Sequence, residues 1–307
     1  MKEEITFRNE DLLFKGTLIK PDTNIPCPVI VVTHTSNAGT RDFGVYQHLA
    51  NLLPPLGIAV FLYDRRGSGE SSGDFEIATF FDLAADAQAA IEHLKLRSDI
   101  DPKHIGIWGM SQGGWVAPLA ASRSAEVAFV VAVSAVGASP AEQMDYSAEY
   151  ELRERGFPDE AIAQMLELRA LVNEVYRGKA DRTRVQEKLN ALRNEAWFPF
   201  AYLGDDLPED PTVEKWYQEM DFDPLPSIQN IHVPVLLLYG EQDPWVPIAR
   251  SIELWKEYGS DDLSVHQIKD ANHFMISIPH SGIRGDDGPQ VQEYSTVLAR
   301  WLKQQLG

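Results

Sequence analysis

The chain has 307 residues, enough for one large α/β core with an insertion, and its 44% hydrophobic and 24% charged content is too apolar for a disordered chain. Its 27 Lys and Arg against 46 Asp and Glu give a formal charge of −19, which repels polyanions and argues against a nucleic-acid partner. A single cysteine, Cys27, excludes an intramolecular disulfide and a cysteine-based metal cluster; the charged N-terminus and the lack of a long apolar run lead us to expect a soluble cytoplasmic protein without membrane attachment.

Ile5 and Phe7, then Leu12 to Ile19, separated by Asn9-Glu10-Asp11, read as a hairpin of half-buried strands. The β-branched run Val29-Ile30-Val31-Val32 and the run Ile58 to Tyr63 read as strands buried on both faces. Between and after them lie two helical patterns, one through Tyr46, Leu49, Leu52 and Leu53, the other from Phe80 to Leu94. The strand series continues at His104–Trp108, Val127–Val133, Val233–Tyr239 and Leu263–Ile268, with a helical segment from Ile248 to Tyr258 between the last two. Strands alternating with helices predict a mostly parallel sheet covered on both sides.

That rhythm breaks from about Ala138 to Pro226, where helical patterns dominate, as in Ile162, Met165, Leu168, Val172 and Val175. The segment holds 20 acidic and 10 basic residues, so it carries −10 of the total charge. It reads as a helical insertion resting on the sheet.

The chemistry concentrates in Gly109-Met110-Ser111-Gln112-Gly113, a Gly-x-Ser-x-Gly pattern between a buried strand and a helix-compatible run. A chain turning from strand directly into helix places the serine in a strained conformation, and close passage of the two arms requires small residues on either side. Ser111 is therefore the candidate nucleophile. A serine hydroxyl needs a histidine to take its proton, and that histidine needs a carboxylate to fix its tautomer. Asp243, just beyond the strand Val233–Tyr239, is the candidate acid, with Glu241 as its rival. His273, in the loop after Leu263–Ile268, is the candidate base, with His280 close by. The oxyanion of an acyl-transfer intermediate needs backbone N–H donors. Gln112 supplies one, and either Ser36 or Thr35, in the loop after the first buried strand, the other. Neither a metal-binding histidine pair nor an Asp-rich calcium loop is present.

With Ser111, Asp243 and His273 in this order, the chain resembles the serine α/β-hydrolase superfamily, especially bacterial carboxylesterases with a helical cap. The segment Tyr63-Asp64-Arg65-Arg66-Gly67-Ser68-Gly69-Glu70-Ser71 is similar to the family's loop after its fourth strand. Gly67-Ser68-Gly69 is no dinucleotide fingerprint, because position 72 is Ser where that pattern needs Gly. Relatives commonly carry His-Gly where this chain has His34-Thr35.

The resemblance implies an α/β-hydrolase fold with an eight-stranded, mostly parallel sheet, a core of residues 1–137 and 227–307, and a cap of residues 138–226. It also implies cofactor-independent hydrolysis of small to medium carboxylic esters through an acyl-enzyme intermediate. In the cap, Trp197, Phe198, Phe200, Tyr202 and Trp216 concentrate aromatic surface that is expected to wall a substrate pocket. Glu149 or Glu160 holding a substrate ammonium would make an aminopeptidase of the same machinery. A catalytically silent homologue that binds a ligand or partner protein is the third expectation.

Overall fold

A computed structural model describes residues 1–307. Its eight strands are β1 (Lys2–Asn9), β2 (Leu12–Ile19), β3 (Cys27–Thr33), β4 (Ala59–Tyr63), β5 (Ile100–Met110), β6 (Phe129–Val133), β7 (Val235–Gly240) and β8 (Leu263–Ile268). They form one sheet in the order β1-β2-β4-β3-β5-β6-β7-β8. The β1–β2 hairpin and the β2–β4 pair are antiparallel, and every pairing from β4 through β8 is parallel. This is the sheet implied by the resemblance.

Core helices are α1 (Gly44–Leu52), α2 (Phe80–Lys95) and α3 (Gly113–Ala121); an inserted set follows, α4 (Pro140–Glu154), α5 (Asp159–Tyr176), α6 (Arg182–Leu192), α7 (Lys215–Glu219) and α8 (Leu225–Gln229). The chain closes with α9 (Ile248–Tyr258), the short α10 (Ile278–Ser281) and α11 (Gln292–Leu306). Alternate residues of one strand feed opposite layers, as the two-residue side-chain period of a strand dictates. Val29 and Val31 pack with Leu83 of α2, Val116 of α3 and Leu254 of α9, whereas Ile30 and Val32 pack with Leu49 of α1 and Trp301 of α11. Burial on both faces explains why β3, β4, β6 and β7 are continuous apolar runs.

The segment between β6 and β7 contains helices and no strand. Ala148, Leu152, Ile162, Met165, Leu168, Val172, Val185 and Leu189 from α4, α5 and α6 build a hydrophobic cluster separate from the two sheet layers. Ser139 starts α4 through a reciprocal capping box with Glu142. Further along, Ile228 and Ile231 have rejoined the core packing.

Two arginines after β4 have different fates. Arg66 grips Asp86 of α2 with two nitrogens, Nε–Oδ2 at 2.6 Å and Nη2–Oδ1 at 2.8 Å, tying loop to helix. Arg65 forms no ion pair and is 7% exposed; its Nη1 donates to the carbonyls of Thr35 and Ser36 instead.

His34, buried just after β3, donates from Nε2 to Tyr63 O at 2.6 Å. Burial pushes its pKa down to about 3. An unfolded histidine titrates near about 6.5, so below that pH the unfolded chain binds a proton that the native one refuses. His34's contribution to stability is therefore complete above about 6.5 and lost progressively as pH falls toward 3. Urea midpoints measured across this window should decline with acidity, and a His34→Gln variant should decline less steeply. Parallel slopes for the two proteins would contradict this assignment.

Candidate active site

Strand β5 ends at Met110, and Ser111 follows with φ of +57°, in the left-handed region that a side chain adopts only under constraint. Helix α3 begins two residues later, so the serine stands at the tip of a strand-turn-helix bend. The two arms nearly touch, since a Cβ placed on Gly109 would lie 1.9 Å from Gly113 O, and the neighbouring strand β3 crowds the helix arm, since one on Gly113 would lie 2.9 Å from Thr33 O. Because both obstructions are backbone, neither can swing aside. Gly109→Ala should therefore cost about 3 kcal/mol or more and leave little soluble protein, measured as yield and melting temperature. A variant as stable as the parent would show that the arms can separate.

Asp243, its side chain fully buried, lies three residues beyond the end of β7. Its Oδ1 accepts from the N–H groups of Trp245 and Val246 at 2.9 and 3.2 Å, and its Oδ2 accepts from His273 Nδ1 at 2.7 Å. One carboxylate thus shapes the turn leading to α9 and orients the imidazole. Glu241, the rival acid, is exposed, as is His280, the rival base.

The loop carrying His273 is fixed from several sides. Asn272 Oδ1 accepts from the Phe274 and Ile276 amides while its Nδ2 donates to Gly282 O and Gly285 O. Ser134 Oγ, at the end of β6, donates to His273 O at 2.8 Å. Trp245 and Phe274 meet the imidazole edge to face, with centroids at 5.0 and 5.1 Å. The ring is held by a hydrogen bond on one side and by aromatic walls on the others.

Ser111 and His273 line the same cavity of about 360 Å³, together with Ser36 and Gln112. The Ser111 hydroxyl makes no hydrogen bond to His273 in this structure; such contacts tighten when substrate fills a site. Gln112 N–H and Ser36 N–H donate to no protein acceptor, which leaves both available to a ligand oxygen. Thr35 is corrected as an oxyanion donor: its N–H is spent on Tyr46 Oη at 2.8 Å.

The cap aromatics divide. Tyr202 and Trp216 line the cavity, whereas Trp197 and Phe198 are buried in the cap's own hydrophobic cluster and Phe200 packs against it beneath the Arg155 guanidinium. Those three are thus corrected from substrate wall to cap core. Sequence reasoning missed Met144 of α4, Trp245 and Glu219 of α7, all of which line the cavity. Only the Lys215-to-Glu219 spacing, four residues apart on one helix, hinted that Glu219 is held in place. Glu149 pairs with Arg153 at 2.8 Å and Glu160 is exposed, so neither carboxylate faces the cavity.

No helix is long and apolar enough to cross a membrane. Among known proteins, Esterase EstD of Thermotoga maritima is 24% identical over 287 residues, 89% of this chain and 61% of the relative. An esterase from Pyrococcus furiosus superposes with a TM-score of 0.66 at 18% identity, covering 100% of this chain and 92% of that one. A proline iminopeptidase from Mycobacterium smegmatis superposes with a TM-score of 0.63 at 16% identity, covering 99% and 98%. At these identities the superpositions establish the α/β-hydrolase fold. The family model for "Serine aminopeptidase, S33" matches residues 26–277, from the start of β3 past His273, and the chain belongs to that hydrolase family.

Proposed function

We propose that this hydrolase is a serine carboxylesterase acting on small to medium esters without a cofactor, with residues 138–226 serving as its lid. The observation that carries the reading is the buried Asp243–His273 hydrogen bond of 2.7 Å opening on the cavity that also contains the strained Ser111. In this mechanism Ser111 Oγ attacks the ester carbonyl carbon while its proton passes to His273 Nε2, and Asp243 stabilises the imidazolium. The carbonyl π pair moves onto oxygen, which accepts from the Gln112 and Ser36 amides. Collapse of the intermediate breaks the bond to the alcohol oxygen, which leaves with the proton from His273. Water then attacks the acyl-enzyme, giving its proton to the same nitrogen, and the carboxylic acid departs as Ser111 is reprotonated.

Phe80, Trp115, Val136, Met144, Trp216 and Trp245 give the cavity apolar walls suited to an acyl or alkyl group. Its one acidic side chain, Glu219, is already paired with Lys215 at 2.9 Å, so it is not a free counter-ion for a substrate ammonium. This favours an ester over an aminopeptidase substrate despite the family's descriptive name. A panel of p-nitrophenyl esters of increasing chain length, run beside alanyl and prolyl p-nitroanilides, tests the choice. The expected result is highest kcat/KM on a short or medium ester with the anilides far below; preference for an anilide would reverse it. Absence of turnover on every ester, with no labelling by a fluorophosphonate, would favour the silent ligand-binding homologue.

A further inference from the structure

We propose that Arg65 and Glu219 are positioning residues that bind the two oxyanion donors into one unit and make that unit depend on the seating of cap helix α7. The proposal deepens the hydrolase reading above and rests on it.

The connections run through side chains that no step of the mechanism uses. Arg65 Nη1 donates to Thr35 O at 2.9 Å and Ser36 O at 3.1 Å, and makes a longer contact of 3.5 Å to Gln112 Oε1. One guanidinium nitrogen thus touches the carbonyl of the same peptide group whose N–H is the Ser36 donor, the carbonyl of the next peptide, and the residue that carries the other amide donor. From the same carboxamide, Gln112 Nε2 donates to Glu219 Oε1 at 3.2 Å. Glu219 belongs to the cap, so a hydrogen bond crosses directly from the lid to the residue following the nucleophile.

The cap end of the chain is itself anchored. Lys215 pairs with Glu219 at 2.9 Å and donates to the carbonyls of Phe75, at 3.0 Å, and Ala78. The Phe75 ring in turn receives the Arg65 guanidinium 3.4 Å from its centroid and Lys215 Nζ at 4.2 Å. Lifting α7 would therefore remove an acceptor from Gln112 and the ammonium from the Phe75 loop together.

Charge adds a second consequence. Lys215 and Glu219 offset one another, whereas Arg65 is buried with carbonyl and amide acceptors and an aromatic face but no carboxylate ion pair. Its positive charge stands beside the loop and turn whose amides receive the developing oxyanion, in surroundings where water screens it little. Placement of this kind favours the transition state over the neutral ground state and so acts on kcat more than on KM.

The test compares Arg65→Lys, Arg65→Met, Glu219→Gln and Glu219→Ala with the wild-type enzyme. Readouts are kcat and KM on p-nitrophenyl butyrate, the inhibition constant of an alkyl trifluoromethyl ketone, which forms an oxyanion adduct, and melting temperature. Arg65→Met should lower kcat about tenfold to a hundredfold with KM within about twofold, and weaken the ketone in proportion to kcat/KM. Arg65→Lys, which keeps the charge but not the planar fork, should recover part of that loss. Glu219→Ala should lower kcat about tenfold, while Glu219→Gln, whose Oε1 can still accept from Gln112 but no longer carries the charge that faces Lys215, should lose clearly less.

Folded variants with unchanged kcat and ketone affinity, or with changes in KM alone, would overturn the proposal. Equal losses in Glu219→Gln and Glu219→Ala would do so as well, because charge rather than the hydrogen bond would then be the requirement. If Arg65→Met fails to fold, the Glu219 pair decides the matter. A wild-type enzyme that neither turns over esters nor reacts with a fluorophosphonate would instead overturn the hydrolase reading, and this proposal with it.

Discussion

Ser111→Ala should reduce ester turnover by about five to six orders of magnitude while leaving the fold intact. Removing one hydroxyl at the bend abolishes the acyl-enzyme route but opens no sizeable void, since Ser111 borders a cavity of about 360 Å³ that is already present. Its N–H bond to Val133 O at 3.0 Å belongs to the backbone and survives the substitution. His273→Ala should lose rate on a similar scale but also lower the melting temperature. It strips Asp243 Oδ2 of its donor and leaves a fully buried carboxylate partly unsatisfied. Because the two side chains act in one step, the double variant should be hardly slower than either single variant. Losses that multiply in the double variant would mean that Ser111 and His273 work independently.

Asp243→Asn should cost about four orders of magnitude in kcat with little loss of stability. The amide oxygen of Asn can continue to accept from the Trp245 and Val246 N–H groups where Asp243 Oδ1 does now. Its NH₂ then faces His273 Nδ1, where a donor meets a nitrogen that must itself donate in the working tautomer. The imidazole is driven to carry its proton on Nε2, where it cannot take one from Ser111. Asp243→Ala removes the turn-forming acceptor too and should be clearly less stable than Asp243→Asn. Activity in Asp243→Asn within about tenfold of wild type would show that the carboxylate's role is structural rather than orienting.

The sequence was most informative where a pattern is enforced by neighbours along the chain. Val29 to Val32 and Val235 to Tyr239 announce strands buried on both faces, and in the structure they lie inside the parallel sheet. Gly109 precedes Ser111 by two because the helix arm passes close over it, a local demand that leaves a local signature, while Gly113 answers to the end of β3 packed against it. Asp243 and His273 could be named from their places after successive strands, and they meet through one short hydrogen bond.

The cavity was harder to read because its walls are chosen by tertiary packing. Trp197 and Tyr202 are five positions apart in one aromatic segment, yet the first is 2% exposed within the cap and the second lines the cavity. Aromatic character states that a side chain prefers to leave water; it does not state which surface receives it. Glu219 is the opposite case, a charged residue in an acidic segment whose ordinary reading is a solvated helix face. Its contact with Gln112 joins residues 107 positions apart in the chain and becomes visible only once the cap is folded onto the core. The same holds for Arg65: the adjacent Arg66 takes the ion pair with Asp86, while Arg65 turns to the carbonyls of Thr35 and Ser36.

The most direct test of the central claim is mass spectrometry of the protein after reaction with a fluorophosphonate. A single adduct is expected on the peptide containing Ser111, absent from Ser111→Ala and strongly slowed in His273→Ala. An adduct confined to another residue, or undiminished ester hydrolysis by protein that carries no label at Ser111, would contradict it.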